Sequence, residues 1–216
     1  ECGAGAPAEA HFCPQCTKIL PLNRPADYFA FLGLSRKLQI DPAELERRFR
    51  DLSRQFHPDY FYNASAPERR ASLERSSYLN DAYRTLKPAI GRVEYLLQLE
   101  GLAAANPREA SAQVPPALLQ EVFALNEELD EIRDLRAGGT APAELKARLE
   151  RARMPIEEKR TEHEAQLDAL SARWDALSDH APAADRRAVL AALHDRVMER
   201  SYIRNLLASI ERELSQ

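Results

Sequence analysis

Apolar residues in this chain recur mainly at helical spacing. Leu45, Phe49, Leu52 and Phe56 step by four, three and four, which keeps them on one face of a helix. Asp41-Pro42-Ala43-Glu44 supplies its start, with Asp as N-cap, Pro at the first position and Glu three residues on. Arg47, Arg50 and Arg54 project roughly 180° away from the apolar face at about 100° per residue. Alone, such a basic stripe reads as a solvated face. A second helix is predicted from near Pro67, with Leu79, Ala82, Tyr83 and Leu86 as its core positions. The two should form an antiparallel hairpin with His57-Pro58-Asp59 at the connecting tip, where proline stops the first helix. Upstream, the run from Asp27 to Leu34 is a short aromatic-rich segment ending near Gly33.

Three further helices are predicted in the carboxy-terminal half. The first, about 116–136, carries Leu118, Val122, Leu125, Leu129 and Ile132 in one stripe. The second, about 142–178, has Leu145, Leu149, Ala152 and Ile156, then His163, Leu167, Leu170, Trp174 and Leu177. That is a coiled-coil-like seam with Pro155 as an expected kink or break. The third, from about 183, has Leu190, Leu193, Val197, Ile203, Leu207, Ile210 and Leu214. Gly138-Gly139 and Asp179-His180-Ala181-Pro182 mark the turns, and an antiparallel three-helix bundle fits best. His163 on the seam reads as a packed or edge residue rather than a ligand. Residues 102–115, rich in Ala, Pro, Ser and Asn, read as a linker.

Composition agrees with an all-α fold: 35 of the 216 residues are Ala, whereas Val, Ile and Thr together number 16. No apolar run approaches the roughly 18 residues of a membrane span. The net charge of −4 argues against a general nucleic-acid binder. That charge is uneven, at +2 over residues 24–101 and −5 over residues 102–216.

Residues 1–23 lack any periodic apolar pattern. Cys13-Pro14-Gln15-Cys16 has the spacing by which two thiolates from one tight turn grip a tetrahedral zinc. Cys2 could supply a third sulfur. A closed structural site takes four ligands, so the fourth is expected upstream of Glu1, with His11 as the fallback. A thioredoxin-type redox pair is the rival, but no βαβ pattern surrounds it. A thiol oxidoreductase built on Cys13 and Cys16 would lack a cofactor motif, a phosphate loop and a nucleophile–base arrangement. Three cysteines close no disulfide framework.

Placed between two amphipathic helices, His57-Pro58-Asp59 carries a resemblance. Residues 27–101 resemble a J-domain, the module that stimulates ATP hydrolysis by heat-shock-seventy-class chaperones. More narrowly, Asn80-Asp81-Ala82-Tyr83-Arg84-Thr85-Leu86, Arg92-Val93-Glu94-Tyr95-Leu96-Leu97 and Glu127-Glu128-Leu129-Asp130-Glu131-Ile132 resemble the HscB family, co-chaperones of iron–sulfur cluster assembly. The repeated cysteine units and Gly/Phe-rich linker of general J-proteins are absent from the sequence.

The resemblance implies a cysteine-rich zinc segment over 1–23, a J-domain over 24–101, the linker 102–115 and a three-helix bundle over 116–216. It implies that His57, Pro58 and Asp59 trigger hydrolysis in the chaperone, with Arg47, Arg50 and Arg54 as its docking surface. The chain itself would then be no enzyme. It further implies that Leu119, Gln120, Phe123, Ala124, Glu127, Glu131 and Tyr202 bind the cluster-assembly scaffold, an IscU-type protein. Ala124 departs from the acidic residue often found there, and Gln120 from the usual larger apolar one. The expected partners are this scaffold and an HscA-type or mitochondrial chaperone, without nucleic acid or membrane, and homodimerisation stays open. The expected setting is bacterial cytoplasm, with the mitochondrial matrix as alternative. A J-protein for unrelated clients is the second reading, distinguished by whether the acidic row binds the scaffold.

Overall fold

Short, well-capped helices account for the first part of the chain. The computed structural model describes residues 5, 7, 10–22, 27–102, 116–177 and 181–215, with side chains of the helix at Pro116 from Leu119 onward. It is all-helical apart from turns and one isolated antiparallel bridge, Phe12 with Ile19. The linker 102–115 lies outside the described residues after Leu102. The chain divides into two compact units, Glu1–Leu96 and Leu97–Gln216.

In the first unit, α1 (Tyr28–Phe31) starts where the Asp27 carboxylate accepts from the Ala30 N–H. It ends at Gly33, whose φ of +66° suits only glycine without strain. Helix α2 (Pro42–Phe56) begins as the sequence predicts, with Asp41 accepting from Ala43 N–H at 2.9 Å and Pro42 in the first position. After a 3-10 turn, Pro58–Phe61, α3 (Ala66–Leu86) opens with a Ser65/Glu68 capping box. Helix α4 (Ala89–Leu99) follows, and the division between the units falls inside it.

Helices α2 and α3 pack as an antiparallel hairpin: Phe49 near the middle of α2 stacks on Tyr83 late in α3 at 4.1 Å, while Ser72 early in α3 reaches Phe56 at the end of α2. Leu45, Phe56, Leu79, Ala82 and Leu86 are buried, and Phe49, Leu52 and Tyr83 half-buried, so the expected stripes are the core faces. The aromatic α1 caps the hairpin. Tyr28 stacks on Tyr95 of α4 at 4.5 Å, and its N–H donates to the Tyr95 hydroxyl. Buried Arg92 ties α4 to the segment before α2 and to the end of α3, donating to the carbonyls of Leu38 and Leu86. Gly91 permits this approach, since a Cβ there would stand 2.2 Å from the Thr85 carbonyl oxygen.

The second unit consists of α5 (Pro116–Ala137), α6 (Pro142–Ala176) and α7 (Ala183–Leu214). Leu125, Leu129 and Ile132 of α5 form one core cluster with Leu145 and Leu149 of α6 and Leu206 and Ile210 of α7. Toward the far ends of α6 and α7, Leu167, Trp174, Val189, Leu190 and Leu193 are buried too. At about 1.5 Å per residue, α6 and α7 outrun α5 by roughly 15 to 20 Å. The bundle is therefore a long hairpin with a shorter helix laid along it.

The expected break at Pro155 does not occur: α6 runs through it. Pro155 sits exposed, where the Arg151 carbonyl that loses its donor can turn to water. His163 is buried and packed, its Nε2 donating to the Arg196 carbonyl oxygen at 2.7 Å.

Charged pairs join α5 to its neighbours. Glu213 of α7, its side chain only 3% exposed, receives both Arg133 and Arg136 of α5. Burial alone would raise its carboxyl, but the hydrogen bonds and charges of the two arginines outweigh burial and hold it below the ordinary carboxylate range. Arg148 of α6 bridges Glu128 and Glu131, and Lys159 pairs with Glu121.

Candidate functional site

The hairpin tip is an exposed tripeptide on a buried base. Phe56, the last residue of α2, is fully buried, and its carbonyl accepts from the hydroxyls of Ser72 and Ser76 at 2.6 and 3.0 Å. His57 follows in extended conformation, because Pro58 disfavours a helical residue before it. The His57 Nδ1 then accepts from the Asp59 N–H at 3.3 Å, capping the 3-10 turn. This leaves the His57 side chain 51% and the Asp59 carboxylate 87% exposed. Pro58 is half-buried between them.

Arg47, Arg50 and Arg54 line the outer face of α2, as their spacing predicts. Each is engaged within the helix: Arg47 with Glu44 and Asp51, Arg50 with Glu46, and Arg54 with Asp51 at 3.8 Å. These pairs are solvent-exposed, so a partner's carboxylates can replace them at little cost. Two aromatic side chains beside the tip, Tyr60 and Tyr62, are exposed at 75% and 79% and were not singled out by sequence. They lie outside any periodic stripe, so no pattern marked them.

The second set of residues stands on α5. Phe123 is 66% exposed and Leu119 also projects from the core, with Gln120, Ala124, Glu127 and Glu131 exposed beside them. The row is not uniformly free carboxylate, because Glu131 is held by Arg148. Tyr202 is half-buried on α7, one turn before Leu206, which shares the core cluster with Leu125 of α5. Next to this face, Ala124, Leu125 and Glu128 of α5 and Arg148, Ala152 and Ile156 of α6 line a groove of about 790 Å³. The structure thus brings the α5 residues onto one surface, with Tyr202 on the neighbouring helix.

The cysteine turn is a tight hairpin. Cys13 N–H donates to the Lys18 carbonyl and Thr17 N–H to the Cys13 carbonyl, both at 2.9 Å, with Thr17 left-handed at φ 57°. Cys13 is buried and Cys16 half-buried. Two thiols from one such turn fit half of a tetrahedral thiolate site. Cys2 lies outside the described residues. Among the described residues no group of three or more His, Cys, Asp and Glu is arranged to hold a metal.

His11, the expected fallback ligand, has other partners. Its Nδ1 accepts from Arg75 at 2.8 Å and its Nε2 lies 3.2 Å from the Phe31 carbonyl oxygen, so both nitrogens are occupied. Burial first, and then the Arg75 charge, push the imidazole down to about 4, which keeps it neutral with the proton on Nε2. Arg75 is 64 residues away in sequence, a pairing no local pattern could reveal.

No family model matches the chain. An Arabidopsis thaliana protein described as an iron–sulfur cluster co-chaperone protein HscB homolog is 35% identical over 130 residues, 60% of this chain. The match spans half the length of that relative. The crystal structure of human co-chaperone protein HscB superposes with a TM-score of 0.72 and 25% identity, covering 98% of this chain and 95% of the human one. Chaperone HscB from Vibrio cholerae gives 0.67 and 27%, covering 88% and 99% respectively. In sequence and in all-helical fold alike, the chain is similar to the HscB co-chaperones.

Proposed function

We propose that the chain is a co-chaperone of iron–sulfur cluster assembly. It binds the cluster scaffold through the α5 face and Tyr202, and brings it to a heat-shock-seventy-class chaperone through the tip. There it stimulates the chaperone's ATPase and so promotes cluster transfer. The nucleotide chemistry belongs to the partner, and the chain is not itself an enzyme. Residues 24–101 act as the J-domain, 116–216 as the scaffold-binding bundle and 102–115 as the linker between them. Carrying both interfaces on one chain raises the effective concentration of scaffold at the chaperone.

The observation that carries this reading is the exposed His57-Pro58-Asp59 tip on an antiparallel helical hairpin, in a chain similar to the HscB co-chaperones. Neither His57 nor Asp59 is needed for the core, so their display is free for a partner. Among the described residues no helix is long and apolar enough to cross a membrane, which suits a role in bacterial cytoplasm or mitochondrial matrix. Cys2, Cys13 and Cys16 supply thiolates to a structural zinc.

The test is single-turnover ATP hydrolysis by the chaperone with wild-type chain and with His57→Gln. Stimulation should fall more than about tenfold in the variant. Unchanged stimulation would end the assignment. Metal analysis of the full-length protein prepared without chelator should find one zinc per chain, and finding none would remove the zinc from the proposal.

A further inference from the structure

Behind the tip, Phe56 is in contact with the amino-terminal hairpin of the first unit. Phe56 hands the chain from α2 to His57-Pro58-Asp59. The last turn of α2 is weakly closed there, His57 N–H reaching the Arg54 carbonyl only at 3.5 Å. What fixes Phe56 is its surroundings. The His11 ring meets it edge-on at 5.0 Å between centroids and meets Phe31 in the same way at 4.9 Å. Phe12 lies 6.0 Å from Phe56, and the Arg75 guanidinium stands over its ring at 5.8 Å. His11 thus fills the space between two phenylalanines, and its hydrogen bonds to Arg75 and Phe31 prevent it from turning. Arg75 also donates to the Leu20 carbonyl at 2.7 Å, and Leu20 N–H donates to the His11 carbonyl at 3.0 Å. Both limbs of the cysteine-bearing hairpin are therefore fastened to α3 beside Phe56.

We propose that His11 is a positioning residue for the tip: by holding Phe56, the amino-terminal hairpin sets the orientation in which His57-Pro58-Asp59 meets the chaperone. This inference rests on the docking reading above. Without the imidazole, Phe56 loses ring contacts on one side and Arg75 loses one of its acceptors, keeping the Leu20 carbonyl. The Phe56 ring can then move into the space, and the tip moves with it. Arg47, Arg50 and Arg54 stand on the opposite face of α2 and keep their geometry. The inference therefore predicts a split between triggering and docking.

The experiment uses the full chain and a heat-shock-seventy-class chaperone that the wild-type chain stimulates. His11→Ala should lower stimulation at saturating co-chaperone about fivefold or more, while the half-saturating concentration changes less than about twofold. In amide NMR spectra the His57 and Asp59 resonances should shift and those of Arg50 and Arg84 stay in place. Full stimulation, or a loss with unshifted His57 and Asp59, would overturn the inference. If His11→Ala unfolds the unit, Phe12→Leu decides, with about a twofold loss at saturation expected and full stimulation overturning it. His57→Gln run in parallel separates the two readings. Loss in His57→Gln with none in His11→Ala sinks only this inference, whereas no loss in His57→Gln sinks the docking reading and this one together.

Discussion

The tripeptide at the hairpin tip and the apolar pair on α5 present different side chains on different supports. At the hairpin tip the tripeptide exposes a histidine and a carboxylate, with Tyr60 and Tyr62 beside them, and the residue behind them is fully buried among rings and held by two serine hydroxyls. On α5 the exposed groups include Phe123 and Leu119, and the helix beneath them is joined to its neighbours largely by leucines and ion pairs. A short polar group on a rigid base suits a trigger, because little chain entropy is lost when a partner engages it. Apolar side chains on a helix surface suit a binding face, because their burial supplies affinity directly.

The difference can be tested by removing each feature in turn. The double change Leu119→Ala with Phe123→Ala should weaken scaffold binding by more than about 2 kcal/mol, roughly 30-fold, measured by calorimetric titration. Thermal stability should change little, since both side chains project from the core. A folded variant with intact affinity would place the scaffold elsewhere.

Glu213→Gln attacks the bundle's own cohesion. It removes the buried charge that Arg133 and Arg136 share, leaving Arg133 only its exposed pair with Asp130, and should cost about 1 to 2 kcal/mol of stability in denaturant melts. Glu213 is held below the ordinary carboxylate range, so its contribution is present above that range and is lost as pH falls through its folded value. The variant should accordingly show a shallower loss of stability on acidification than the wild type.

The smallest effect is expected on the outer face of α2. Arg50→Ala with Arg54→Ala should change stability by less than about 0.5 kcal/mol, because their pairs are exposed. Chaperone affinity should fall a fewfold at low salt and much less at high salt, where screening has already weakened the wild-type attraction. Equal loss at both salts would mean that these arginines act through contacts other than charge.

Much of this architecture was legible residue by residue. The start of α2 was readable from Asp41, Pro42 and Glu44, and its inner face from four apolar positions. The tip was readable because a proline sits between two amphipathic stretches. The α5 row was readable only partly. Spacing placed Leu119, Phe123, Glu127 and Glu131 together, but not the diversion of Glu131 to Arg148, 17 residues away on another helix. Pro155 does not end the helix for a physical reason: a helix pinned along its length by the α7 seam tolerates one missing hydrogen bond on its wet side.

Helix limits, caps and buried faces depend on neighbours within a turn or two, so the order of side chains was enough to settle them. The pairing of His11 with Arg75 and Phe56, and of Glu213 with Arg133 and Arg136, spans 45 to 80 residues and leaves no periodic trace. Such contacts exist only once the helices have packed, because packing is what removes the water that would otherwise hydrate each group separately. Tertiary structure alone therefore decided that an amino-terminal histidine stands against Phe56, behind the tip.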